Sequence, residues 1–312
     1  MMTMMLAVAL TGCRHESLPE TGKAIRFSVD EAAVVDLQTK ADLPTEADFK
    51  NRDIALFGIC TKSEAETIFD GSYDTSRLRF DSTKGWYYEP LKYWNKGGLY
   101  DFRAISPLIA AKPNGSAAKT GAVEADFNEY YDLMVASNHD TAALSSTDSV
   151  DPIQLTFSHA CAAVRFKFTK GAETRDCKVT HFEVNKISTS GTMTYSWNGA
   201  KDVITWKPGG AKKEAHFTSD TQWEITETTD FQSFDGWHLV VPQTLNGATV
   251  TFQFKIGADA TRTAVLPIPE NSRWEPGKVY EYRINIDILT VGFSFTVEPW
   301  PTNSVTGSYT VR

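Results

Sequence analysis

The 312-residue sequence predicts a mainly β protein. Apolar residues recur with period two through most of the chain, which is the pattern of strands with one buried face. No long amphipathic helical pattern competes with them. The Trp and Tyr residues of the second half fall at inward parity, as core-filling side chains do.

Taken in order, Ile25-Phe27-Val29 is the first alternating run, and SEAETIFDG at 63–71 is the best short helical candidate. Tyr100-Phe102-Ala104 alternates next. NHDTAALSSTDSVD between Asn138 and Asp151 is polar, lacks alternation and reads as a linker. A chain of this length exceeds one usual core, so two units are expected, 14–150 and 151–312. In QLTFSHACAAVRFKF the apolar positions fall on odd numbers (Leu155, Phe157) and then on even ones (Val164, Phe166, Phe168), which calls for a bulge or bend near Ala160 to Ala163. Met193-Tyr195-Trp197, then Asn198-Gly199, then Val203 to Trp206 is hairpin chemistry. Val250, Phe252, Phe254 and Ile256 form a half-buried strand, as do Tyr280, Tyr282, Ile284, Ile286 and Ile288. Phe293, Phe295 and Val297 follow, and Glu298-Pro299-Trp300-Pro301 should end that run because proline cannot donate to a ladder. The final SVTGSYTVR puts Val305, Gly307, Tyr309 and Val311 on one face. It reads either as a detachable strand or as an ordinary terminal edge strand.

Composition excludes several function classes. With 39 acidic against 31 basic residues the net charge is −8, whereas nucleic-acid binding calls for clustered Lys and Arg. No HExxH, GxSxG, GxxxxGK or CxxC motif is present, so no catalytic residue, metal site or cofactor is assigned and the protein reads as non-enzymatic. His159 and His181 could face each other across strands, but a metal site needs three or four convergent ligands, which makes them satisfied or surface histidines. Cys60, Cys161 and Cys177 allow one Cys161–Cys177 bridge or three buried thiols, and no framework spacing favours the bridge. Asn95 to Gly98 reads as a turn with Tyr93 and Trp94 beneath it, or as part of an aromatic surface patch.

The N-terminus has its own chemistry. Met1 to Thr11 carry no charge and are too few for a spanning helix, which needs ~20 residues. The length suits a secretory signal, and Leu10-Thr11-Gly12-Cys13 sets small residues before a cysteine, as a lipoprotein-type cleavage site requires. Residues 1–13 then form the signal with Cys13 as the lipidated residue, tethering the chain to a membrane.

Several stretches together resemble the fimbrillin family, the lipoprotein pilins of Gram-negative anaerobes. They are AIRFSVD, Thr39-Lys40-Ala41, DIALFGIC at 53–60, GWYYEPLKYWNKGGLYDFRAISP at 85–107, PIQLTFSHACAAVRFKF at 152–168, WEPGKVYEYRINI at 274–286 and a final EPW at 298–300. The resemblance implies two tandem β-sandwich domains of transthyretin-like topology, export to the outer membrane and cell surface, and assembly with other pilin subunits by strand exchange. An Arg- or Lys-specific protease would remove the first strand (Ile25, Phe27, Val29) by cutting at Lys40 or Arg26. The groove left behind would accept a donor strand bearing Val305, Gly307, Tyr309 and Val311. Lys40 is favoured because cutting there removes the whole strand. Acylation at Cys13 would add outer-membrane lipid as a partner, and an aromatic surface patch around Asn95 to Gly98 would add a host glycan or protein. The rival reading is a surface glycan-binding lipoprotein that uses exposed Trp and Tyr.

Overall fold

The computed structural model describes residues 23–30, 49–112, 122–138, 151–172, 174–197, 202–210, 216–219, 222–230, 232–288 and 290–299. The chain is mainly β, as its periodicity predicts. In order the strands are β1 (Phe27–Asp30), β2 (Ile54–Thr61), β3 (Ala65–Asp70), β4 (Arg77–Asp81), β5 (Gly85–Tyr87), β6 (Leu99–Ser106), β7 (Ala111–Lys112) and β8 (Ala122–Asp126). There follow β9 (Met134–Asn138), β10 (Ile153–Thr156), β11 (Ser158–His159), β12 (Ala162–Lys170), β13 (Cys177–Asn185), β14 (Gly191–Trp197), β15 (Asp202–Pro208) and β16 (His216–Ser219). Then come β17 (Trp223–Ile225), β18 (Gln232–Val240), β19 (Gln243–Thr244), β20 (Thr249–Ile256), β21 (Arg262–Pro267), β22 (Arg273–Trp274), β23 (Lys278–Ile286) and β24 (Val291–Pro299).

Parity along these strands sorts side chains into three cores. In the sheet β11-β9-β6-β2-β4-β5, Ile54 and Leu56 of β2 and Tyr100, Phe102 and Ala104 of β6 point to one side, where they meet Phe27, Leu155 and Phe157 in a first core. The residues between them, Ala55, Phe57 and Ile105, point the other way into a middle core. This is why DIALFGIC is an unbroken apolar run: both faces of β2 are buried. The second core lies between the sheet β18-β12-β23-β24, which supplies Phe166, Phe168, Tyr282 and Ile284, and the sheet β16-β13-β20-β21, which supplies Phe182, Val184 and Phe252.

The middle core joins the two halves. Ala163, Val279, Trp237 and Leu239 enter it from the back of the second-half sheet, together with Met193 and Tyr195 of β14. The sheet β15-β14-β8-β7 mixes strands from both sides of residue 150, with Tyr195 opposite Val123 and Thr192 opposite Asp126. Strand pairing crosses residue 150 again where β10 joins β1 and β11 joins β9. The parity switch near Ala160 has its cause here: Leu155 and Phe157 face the first core, the chain leaves that sheet at Ala160-Cys161, and Val164, Phe166 and Phe168 face the second. A register shift between Val164 and Phe166 against β18 supplies the expected bulge, slightly later than Ala163.

Beyond the middle core the back of β12 and β23 turns charged. Glu281 is 6% exposed there and is held by three cations. Arg165 Nε and Arg283 Nε each donate to it at 2.7 Å, and Lys167 Nζ lies at 3.3 Å. Burial alone would raise the carboxyl pKa, but the Arg283 hydrogen bond and the Arg165 and Lys167 charges outweigh it and hold Glu281 below the usual range.

Two local expectations change. Residues 65–70 form strand β3 antiparallel to β2 rather than a helix: one short helical turn is marginal alone, whereas the β2 edge offers a ladder and a place for Phe69 in the first core. Tyr93 is 47% exposed, and only Trp94 packs beneath the turn, 4.6 Å from the Tyr100 ring. The turn itself is as read, with the Gly98 amide donating to the Asn95 carbonyl at 3.1 Å. Gly98 is required there, since a Cβ would lie 2.4 Å from Cys60 Sγ. Cys60, Cys161 and Cys177 are all buried free thiols. Burial pushes the Cys177 thiol up to about 11 and the Cys161 thiol up as well, which makes both poor nucleophiles.

Candidate assembly interface

The segment from Lys23 to Asp30 lies in a slot of the first core and is bonded on both flanks. On one side the Ile25 amide donates to the Lys92 carbonyl at 2.9 Å and the Trp94 amide to the Lys23 carbonyl at 3.1 Å. On the other, β1 runs parallel to β10 with Phe27 opposite Ile153, and the Ile153 amide donates to the Arg26 carbonyl at 2.7 Å. Alternation then does the rest. Ile25 and Phe27 are buried and Val29 packs against the same core, while Arg26 is exposed. Full burial of side chains this size is worth roughly 1.5–3 kcal/mol each.

Aromatic residues build the floor of the slot. Phe27 meets the rings of Phe102, Phe69 and Tyr88 edge-on, with centroids 5.4, 5.7 and 5.9 Å away. The Tyr88 hydroxyl donates to the Ile25 carbonyl at 2.7 Å and accepts from the Lys92 amide at 3.1 Å, so one side chain ties segment 88–94 to the first strand. Burial is the main cause that raises the Tyr88 pKa to about 12, which keeps the phenol protonated and donating. Sequence reasoning missed this clamp. Its signal was the aromatic density of GWYYEPLKYW, which is far higher than a connecting loop needs.

Were the segment withdrawn, the Ile153 and Trp94 amides would lose their partners, the Lys92 carbonyl would keep only the Tyr88 hydroxyl, and an apolar trough lined by Phe69, Phe102 and Leu155 would open. An extended chain with alternating apolar side chains satisfies both needs together.

The other expected positions distribute unevenly. Arg26 sits just before β1, between the buried Ile25 and Phe27, with its carbonyl accepting from the Ile153 amide. Cys13, Lys40 and the run Val305, Gly307, Tyr309 and Val311 lie outside the described residues. At the other end of the chain β24 pairs with β23 at nine positions and ends at Pro299, opposite Lys278. It is the edge of its sheet, and Val297 is 46% exposed. Among the described residues no group of three or more His, Cys, Asp or Glu is placed to hold a metal. His159 Nδ1 instead pairs with the Asp132 carboxylate at 2.7 Å, and His181 with Glu183 at 3.3 Å. No helix among the described residues is long and apolar enough to cross a membrane.

The fold recurs in solved structures. A fimbrial protein from Bacteroides vulgatus is similar over 89% of this chain and 99% of its own, with a TM-score of 0.61 and 15% identity. A candidate cell adhesion protein from Parabacteroides distasonis is similar over 89% and 96%, with a TM-score of 0.52 and 10% identity. Another from Bacteroides ovatus covers 89% and 97% with a TM-score of 0.51 and 13% identity. Among curated proteins none matches the sequence. The family model described as fimbrillin-like matches residues 39–300, which is most of the chain. By that match the protein belongs to the fimbrillin-like family.

Proposed function

We propose that this protein, a fimbrial subunit by family, assembles by β-strand exchange through the trough that its own first segment fills. The observation that carries the reading is the double-sided bonding of residues 23–30 by segment 88–94 and β10 over an aromatic floor. A replacement strand finds the hydrogen bonds and the pockets already arranged. Processing at Lys40 fits this reading better than processing at Arg26: a protease needs extended accessible backbone, and the Arg26 carbonyl is engaged by Ile153. The run Val305, Gly307, Tyr309 and Val311 is the proposed donor face, Cys13 the proposed acylation site, and the outer membrane the proposed anchor. Two sandwich units remain our division of the chain. The pairing of β10 and β11 with first-half strands favours their line at Ala160-Cys161 over 150.

The test starts from full-length chain treated with a Lys-specific protease. Cleavage after Lys40 should yield high-mass, SDS-resistant ladders, and a Tyr309→Asp/Val311→Asp double variant should stay monomeric because charge would enter an apolar trough. Monomer after clean removal of residues 1–40 overturns strand exchange. Equal ladders from the double variant overturn the donor assignment. Cys13→Ser should abolish metabolic labelling with palmitate, and retained label removes the anchor.

A further inference from the structure

A cavity of ≈ 470 Å³ opens between β9 to β11 on one side and β15 with the Glu275–Lys278 turn on the other. It is formed by strands from both halves, the usual place for a ligand cleft, and its volume falls in the usual ligand range. Four hydroxyl-bearing residues line it, Ser137, Thr156, Ser158 and Tyr195, with the Ser158 hydroxyl turned to the Val135 carbonyl at 3.5 Å. The Ser137 hydroxyl donates to the Asp202 carboxylate, which fixes two of the lining groups against each other. Tyr195 is buried, and that burial is the main cause keeping its phenol protonated. Ile204 and Pro276 supply apolar wall.

A second hollow of ≈ 210 Å³ shares Ile204, Glu275 and Pro276 with the first and adds Trp206 and Arg273. The Trp206 indole is anchored, since its Nε1 donates to the Ala160 carbonyl at 2.8 Å. The ionic groups along both hollows are Asp202 and Glu275 against Lys278 and Arg273, with Arg273 3.9 Å from Glu275. Their charges balance, so the lining selects neither a polyanion nor a cation. An apolar ligand would strip water from the Asp202 and Glu275 carboxylates and offer no donor in its place. What fits is a ligand with many hydroxyl groups and apolar C–H faces and no net charge.

We infer that this cleft binds a neutral oligosaccharide, with Asp202 and Glu275 accepting from sugar hydroxyls and Ile204, Pro276 and Trp206 against the C–H faces. The site meets the first-strand trough at β10, where Thr156 lines the cleft and pairs with Asp30, and the unprocessed chain keeps that strand in place. The test uses full-length, unprocessed chain on an array of neutral hexose and N-acetylhexosamine oligosaccharides, with sulfated and sialylated oligosaccharides and unrelated extended peptides as further arms. Binding should be confined to the neutral sugars. Calorimetry with the strongest neutral sugar should show at least a tenfold loss for Asp202→Asn. Ser158→Trp, which fills the cleft from an exposed position on β11, should do the same with an unchanged melting temperature. Absence of binding to every neutral sugar, a preference for the sulfated or sialylated arm or for peptide, or full affinity in folded Ser158→Trp would each overturn the assignment.

Discussion

The first and second cores are closed by very different strands. In the second core β12 and β23 are nine residues each, pair with one another, and are flanked by β18 and β24. In the first core the closing piece is the four residues of β1 with a short lead-in, bonded to β10 and to the irregular segment 88–94. Both cores bury aromatic clusters of similar kind. They differ in how much ladder would have to open for one strand to leave, and on the proposed exchange the first core is the one that opens and the second the frame.

That contrast can be broken from either side. The largest effects come from paired truncations: Phe27→Ala and Phe166→Ala should each cost about 3–5 kcal/mol, but in different transitions. Phe27→Ala should speed hydrogen exchange at the Ile153 and Trp94 amides, the partners of the first strand, and leave second-half amides protected. Phe166→Ala should lower the main melting transition. Equal acceleration in both halves by either variant would mean that the cores open together.

Next in size is the Glu281 site on the frame sheet. Glu281→Ala leaves three cations facing one another and should cost about 3 kcal/mol in denaturant unfolding. Because the folded carboxyl sits below its ordinary 4.5, its contribution is complete above that value and fades as pH falls through the lowered folded value. Wild type should therefore lose stability below pH 4.5 more steeply than Glu281→Gln, and superimposable acid curves would remove the role. Tyr88→Phe deletes one hydrogen bond to the first strand and should weaken its retention by about 1 kcal/mol, read at the Ile153 amide. The smallest effect is on redox: with the three thiols among the described residues unpaired, reductant should leave the melting temperature unchanged.

The strands were readable where one face meets a core and the other meets water, as at Val250 to Ile256, whose alternate residues are buried. At Tyr280 to Ile288 the parity holds but the strand stops at Ile286, leaving Ile288 exposed. Glu281 alternates with the core residues Tyr280 and Tyr282, a pattern that alone places it in solvent, yet the neighbouring strand brings Arg165 and Lys167 around it, beside Arg283. The mixing of β7 and β8 with β14 and β15 had no local signature, because periodicity reports that a face is buried and not which strand will lie beside it. The Ile25–Val29 strand was legible for its alternation. Its clamp at Tyr88 was not, since that contact spans 63 positions in sequence.

The parallel register of β1 with β10 also sets a direction. A replacement chain that repeats this register has its amino end beside Trp94 and its carboxyl end toward Thr156. Every joint in a string of such molecules would then point the same way. The resulting filament would have two unlike ends, with elongation and capping as distinct chemical events.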